Sequence, residues 1–255
     1  MNDFLRFTTI LVLSILVACQ QETGTSGETP SSDTLSFDYQ FVDKTVGDCE
    51  SSCLHIHLKS LRFADSDLIQ KQVDSLMLTI GTNNYGSLDA FIEESVEEYA
   101  RLIEEIPMYD MPWELERMAV VNYNKAGFVG VSISDYSFTG GAHPNNHHIH
   151  RLFTTDDGRM IPWQELISDA KAFTTYAESV FRKNKSLSAD DSFEAEGYWF
   201  DNDTFYLPEN YMIDENGIHF FYNTYEVAPY SEGAILLSID WETFERFKAK
   251  GIAFS

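Results

Sequence analysis

The chain has 255 residues, enough for one large domain or two small ones, and 41 acidic against 17 basic side chains give a formal charge of −24. A field of that sign repels phosphate backbones and excludes nucleic acid as a partner, while it keeps the chain soluble and attracts cationic proteins. A hydrophobic content of 44%, with 14% aromatic residues, excludes global disorder.

The first 19 residues, MNDFLRFTTILVLSILVAC, place Arg6 ahead of an apolar run from Phe7 to Val17. That run is too short for a permanent membrane span and suits the apolar segment of an export signal. Leu16-Val17-Ala18-Cys19 resembles the lipobox of bacterial lipoproteins. The resemblance implies cleavage after residue 18, acylation of Cys19, and a lipid bilayer as a partner. Gln20 in the second mature position implies the outer membrane under the usual sorting rule. Residues 19–36 are rich in Gly, Ser, Thr and Pro and read as a flexible tether.

Phe37 to Val46 and Leu54 to Leu58 alternate as strands, the second with His55 and His57 on its polar side. Between them Cys49 and Cys53, four apart, suit a disulfide that staples a strand end in an oxidising compartment. Their spacing also matches half of a zinc site, although no second cysteine pair completes one. A helix is expected from Ser66, a natural N-cap, to Ile80, with Gly81 as the residue just past its end. A second runs from Ser87 to Ile106 and stops at Pro107; its many glutamates read as a solvated face, because no apolar pocket accompanies any pair of them. Strands follow at 113–124, 128–139 and 147–155, the first two joined by an NKAG hairpin. A helix over 163–181 comes after Pro162, then strands at 205–213, 218–222 and 234–239, and a short closing helix in DWETFERF. The expected class is α+β, helices packed on antiparallel β-sheet, in two sequential subdomains, 37–155 and 156–255.

Four segments together resemble a known family: FTGGAHPN after a strand, DGRMIPWQELI after the meander, FYLPENYMIDENGIHFFYN, and YEVAPYSEGAILLSI. The combination resembles the extracellular domain of the anti-sigma-V factor family (RsiV) and the non-catalytic N-terminal region of PdaC-type peptidoglycan deacetylases. The resemblance covers about residues 37 to 250. It implies a binding role at the bacterial cell envelope, with a lysozyme-like protein or peptidoglycan as ligand. The first subdomain is PdaC-like and the second resembles the C-terminal part of the anti-sigma domain. Neither a deacetylase region nor a sigma-binding segment is recognisable, so the expectation is the binding module alone on a lipid anchor.

A search for chemistry yields little. GVSIS at 130–134 fails the Gly-x-Ser-x-Gly elbow at its last position, and neither a phosphate loop nor His-Glu-x-x-His is present. TGGAHPNNHHIH, residues 139–150, holds four of the seven histidines. His148 and His150 share one face of a strand, as do His55 and His57 of theirs; the two pairs would bind zinc or copper only as neighbours in the sheet. Otherwise they are strand residues without chemistry. The expectation is therefore a binder with no catalytic residue and no cofactor. Its candidate contacts are Thr139, Gly140, Gly141 and His143 on one turn and Tyr225, Glu226, Pro229 and Tyr230 on another, the tyrosines offering rigid apolar surface with hydroxyl handles. The alternative is a metal-dependent envelope hydrolase built on the histidines.

Overall fold

In the computed structural model, residues 34–254 are described apart from 51, 81, 82 and 107. The export signal, Cys19 and nearly all of the tether lie outside the described residues. Strand β1 (Phe37–Asp48) turns back into β2 (Ser52–Phe63), a hairpin longer at both ends than the alternation implies. Helix α1 (Asp67–Leu78) is capped by Ser66, whose side chain accepts from the Ile69 N–H. It ends earlier than expected: Thr79 is already extended, and a two-residue ladder, β3 (Thr79–Ile80) with β4 (Asn83–Asn84), replaces the last turn before Gly81. Helix α2 (Leu88–Glu105) starts on the predicted cap, Ser87. Strands β5 (Trp113–Lys125), β6 (Phe128–Phe138) and β7 (Asn145–Thr154) complete a five-stranded sheet in the order β1-β2-β5-β6-β7. In the β5–β6 turn Ala126 and Gly127 both have positive φ, as a tight primed turn requires.

The sheet is mixed and not wholly antiparallel. The α1–α2 crossover carries the chain back to the end at which β2 began, so β2 and β5 pair in parallel, Leu54 opposite Trp113 through Lys59 opposite Met118. Both helices lie on one face. α1 buries Ile69, Val73 and Met77 against Leu61, Ala119, Val131 and Ile133; α2 buries Phe91 and Tyr99 against Ile56, Leu58, Trp113 and Leu115. One charged residue sits in this apolar row. Arg117, 1% exposed, donates to Asp135 directly opposite it on β6 (2.8 and 2.5 Å) and to the Met77 carbonyl at the end of α1.

The second half begins with a 3-10 turn at Trp163–Leu166 and helix α3 (Ala170–Asn184). The single helix expected over 163–181 is broken because Ile167 is extended and Asp169 caps a fresh start by accepting from the Ala172 N–H. A three-stranded antiparallel sheet follows, β8 (Tyr211–Ile213), β9 (Gly217–Tyr222) and β10 (Ile235–Asp240), then the one-turn helix α4 (Trp241–Phe244). The strand expected from 205 shrinks to 211–213: Pro208 has no N–H for a ladder, while Phe205 and Leu207 turn into the core. That core is aromatic. Phe181 lies within 5.2–5.5 Å of the rings of Tyr198, Phe200 and Phe205.

The halves meet along β7. Its free edge would present unpaired backbone groups, and two asparagines cover it: Asn210 accepts from the His150 N–H, Asn223 from the His148 N–H, and both donate to the His148 carbonyl. Leu152 and Tyr123, from the first half, are buried in the second half's core. Among the described residues no helix is long and apolar enough to cross a membrane.

Candidate functional site

The face of the large sheet opposite α1 and α2 carries polar residues. Across the strands, Asp43, His57, Glu116, Tyr136 and Asn146 stand opposite one another, and Thr45, His55, Glu114 and Phe138 form the neighbouring row. Glu114 is exposed and Glu116 half-buried. Burial together with the nearby carboxylates Glu114 and Glu116 pushes the Tyr136 pKa up.

The turn after β6 is tied to this face. Gly140 (φ +91°) and Gly141 (φ +103°) both take left-handed backbone. At Gly140 a side chain is excluded twice, because a Cβ would also lie 2.5 Å from the Tyr109 hydroxyl oxygen. That hydroxyl donates to the Thr139 carbonyl (3.2 Å) and accepts from the Trp113 indole (2.9 Å), which anchors the turn to the start of β5.

The second candidate segment comes down on the same turn. Tyr230 stacks on the His143 ring, centroids 3.8 Å apart and planes 20° from parallel, and donates its hydroxyl hydrogen to the Pro144 carbonyl at 3.1 Å. Tyr225 closes the group, 3.5 Å from its hydroxyl to His143 Nε2 and 5.7 Å between its ring and that of Tyr230. Tyr225 is 52% exposed yet has φ +68°, a conformation costing a side-chain-bearing residue about 1–2 kcal/mol. Pro229 leads into the short 3-10 turn at Tyr230–Glu232. Glu226, half-buried, accepts from the Asn223 N–H, and burial raises its pKa above the usual carboxylate range despite that bond. His143, Tyr225 and Tyr230 are thus brought together on the turn that follows Thr139, and Tyr136, close enough to Tyr230 to feel its charge, links them to the rows of Glu114 and Glu116, an acidic floor that sequence reasoning missed; the signal for it was the polar parity of β5.

The histidine pairs are not brought together. β2 and β7 are separated in the sheet by β5 and β6, so His55 and His57 share no site with His148 and His150. This removes the geometry on which the hydrolase alternative stood. His57 is paired with Asp43, while His148 and His150 pack on Phe221 at 4.8 and 5.1 Å between centroids. His150 is buried, and burial with nearby His148, Arg151 and His219 lowers its pKa to about 4. Its Nδ1 lies 2.6 Å from Ser132 Oγ, which donates to the Asn122 carbonyl oxygen. The serine hydrogen is therefore engaged away from the imidazole, and His150 acts as the donor to Ser132, the reverse of an activated nucleophile. Cys49 and Cys53 are joined as a disulfide in the β1–β2 turn.

Residues 48–146 match the family model described as Deacetylase PdaC, and residues 164–242 that described as Protein of unknown function (DUF3298). The fold is shared by solved structures of two DUF3298 family proteins. One, from Bacteroides fragilis NCTC 9343, has 19% identity and a TM-score of 0.66 over 85% of this chain and 94% of that one. The other, from Pseudomonas aeruginosa PAO1, has 20% identity and a TM-score of 0.62 over 86% of this chain and 96% of that one. No curated protein matches the chain. At such identities the structural likeness is one of fold, and it supports the α+β class.

Proposed function

We propose that this chain, a PdaC-like region followed by a DUF3298 region in a cell-envelope-associated fold, is a lipid-anchored, non-catalytic binding module for a cationic, lysozyme-like protein. The observation that carries the reading is the meeting of the TGGAHP turn and the YEVAPY segment in one group, exposed His143 and Tyr225 with half-buried Tyr230, which Tyr136 links to Glu114 and Glu116. Stacked aromatic rings held by backbone contacts are preorganised, so little side-chain entropy is lost when a partner covers them. Carboxylates beside them, within a chain of net charge −24, steer a basic protein to the patch. Tyr225 adds the other mark of a binding loop, backbone strain held in place by its surroundings. The anchoring half of the proposal is supported by Leu16-Val17-Ala18-Cys19, and Gln20 in the second mature position supports the outer membrane as its location.

Titration calorimetry of residues 20–255 with lysozyme tests the reading. The expected result is a 1:1 complex that weakens steeply as salt rises, with Tyr230→Ala costing about 2 kcal/mol or more, the scale of an interface hot spot. Tyr225→Asn, which suits the left-handed backbone, is expected to leave stability within about 1 kcal/mol while lowering affinity. No binding at low salt, where steering is strongest, would sink the protein-ligand proposal. Retention on isolated peptidoglycan in the same variants would point to the wall polymer instead. Anchoring is tested separately by membrane fractionation of the full chain against Cys19→Ser, which should be released.

A further inference from the structure

We propose that Cys49, Cys53 and His55, in the dithiol state of the β1–β2 hairpin, form a three-coordinate site for the soft monovalent cation Cu+. His55 Nε2 lies 3.3 Å from Cys49 Sγ and 3.2 Å from Cys53 Sγ, and these three donor atoms all fall within 4.8 Å of one another. A disulfide that served only as a staple would not need an imidazole turned onto both of its sulfurs. The other ring nitrogen, Nδ1, is 3.2 Å from the Thr45 hydroxyl, which orients the ring in the way that outer partners orient metal-bound histidines.

The hairpin supplies a frame that survives reduction. Cys53 and His55 are fixed by the β1–β2 ladder, opposite Gly47 and Thr45, and Cys53 is buried while Cys49 and His55 are exposed. Gly47 (φ +95°) is the ladder residue opposite Cys53, just before the turn, and a Cβ there would lie 2.8 Å from the Ser52 carbonyl. Only Cys49, beyond the ladder's tight pairs, has to move as the sulfurs separate.

The donor set selects the ion. Two thiolates and an imidazole are soft to borderline ligands suited to Cu+, and among the described residues no fourth donor joins them, whereas structural zinc sites take four ligands in a tetrahedron. The chemistry balances with a thiol reductant as co-reactant. The Cys49–Cys53 S–S bond accepts two electrons and two protons from two thiols, which leave joined as their own disulfide; Cu+ then binds both sulfurs as thiolates and two protons are released. The chain's net negative charge favours a cation's approach. The proposal is independent of the lysozyme reading.

The test is anaerobic titration of the reduced, desalted chain with Cu+ held in a coloured chelator. One equivalent should be withdrawn by the reduced chain and none by the disulfide form. Reduced His55→Ala should bind at least about tenfold more weakly, Cys49→Ser should lose the site, and His57→Ala, in the next row, should bind as the parent does. His55→Ala keeps both thiols and the disulfide, so it carries the test if Cys49→Ser fails to fold. The proposal is overturned by equal uptake in the disulfide form, by unchanged affinity in His55→Ala, or by stoichiometric Zn2+ binding in place of Cu+.

Discussion

The two halves use their sheets in opposite ways. The five-stranded sheet buries one face under α1 and α2, and of its other face it buries the part where Tyr123, His150 and Leu152 meet the second half, leaving rows of Asp43, His57, Glu116 and Tyr136 open, whereas the three-stranded sheet and α3 are committed to an aromatic core that includes Phe173, Phe181, Phe220 and Tyr222. The first half can therefore change its open face at little cost in stability. The second half contributes to the proposed patch through loops, and its segment from Tyr225 to Tyr230 reaches over onto the first half's glycine turn. The proposed binding patch is shared, an acidic floor and His143 from one half and two tyrosines from the other. Neither half alone presents it.

The largest effects should show how far that division holds. Phe220→Ala, at a fully buried ring, should cost about 3–5 kcal/mol in denaturant unfolding, and Phe41→Ala, on a strand where the ring is 56% exposed, under about 1 kcal/mol. Comparable losses would mean that the two halves are equally dependent on their packing. Within the first half, Arg117→Met should cost about 3–5 kcal/mol because it strands Asp135 beside an apolar row; adding Asp135→Leu should recover most of that loss. If the double variant is as unstable as the single, the ion pair itself holds α1 to the sheet.

The junction is next. His150 lies between the halves with its folded-state pKa lowered to about 4, so between the ordinary value of 6.5 and 4 the unfolded chain holds a proton that the folded chain does not. The His150 contribution to stability is complete above pH 6.5, falls as pH drops through that window by about 3 kcal/mol at most, and is fully lost below pH 4. His147 and His148, whose pKa values burial also lowers, push in the same direction. Urea midpoints at pH 7.5, 5.5 and 4 read the slope, and His150→Gln should flatten it; an unchanged slope would assign the acid sensitivity to other groups.

The last effect belongs to the proposed shared patch. Gly140→Ala, strained at φ +91° and pressed against Tyr109, should cost about 1–3 kcal/mol and displace His143 from Tyr230. Loss of lysozyme affinity beyond the loss of stability would mark the turn as part of the interface. Equal losses would make it a hinge of the fold alone.

Much of this was legible in the chain because it is local chemistry. Ser66 and Ser87 marked helix starts by their ability to accept a backbone N–H, and the strand alternation around Leu54 to Leu58 put His55 and His57 on the polar face. The glycine pair marked a turn, and the Pro-Tyr segment a rigid surface. What local pattern cannot carry is which elements become neighbours. Parallel pairing of β2 with β5 depends on where a two-helix crossover returns the chain; the isolation of His55 from His148 depends on two intervening strands. Arg117 stood in an inward position of its strand, yet its partner is fixed only by register. The sequence by itself thus determined the elements, the charge and the residue types available for binding, since those follow from side-chain chemistry and short-range periodicity. The tertiary structure alone decided that His143 stacks on Tyr230, 87 positions along the chain, because such a contact arises from packing between segments whose separation along the backbone says nothing about their distance in space.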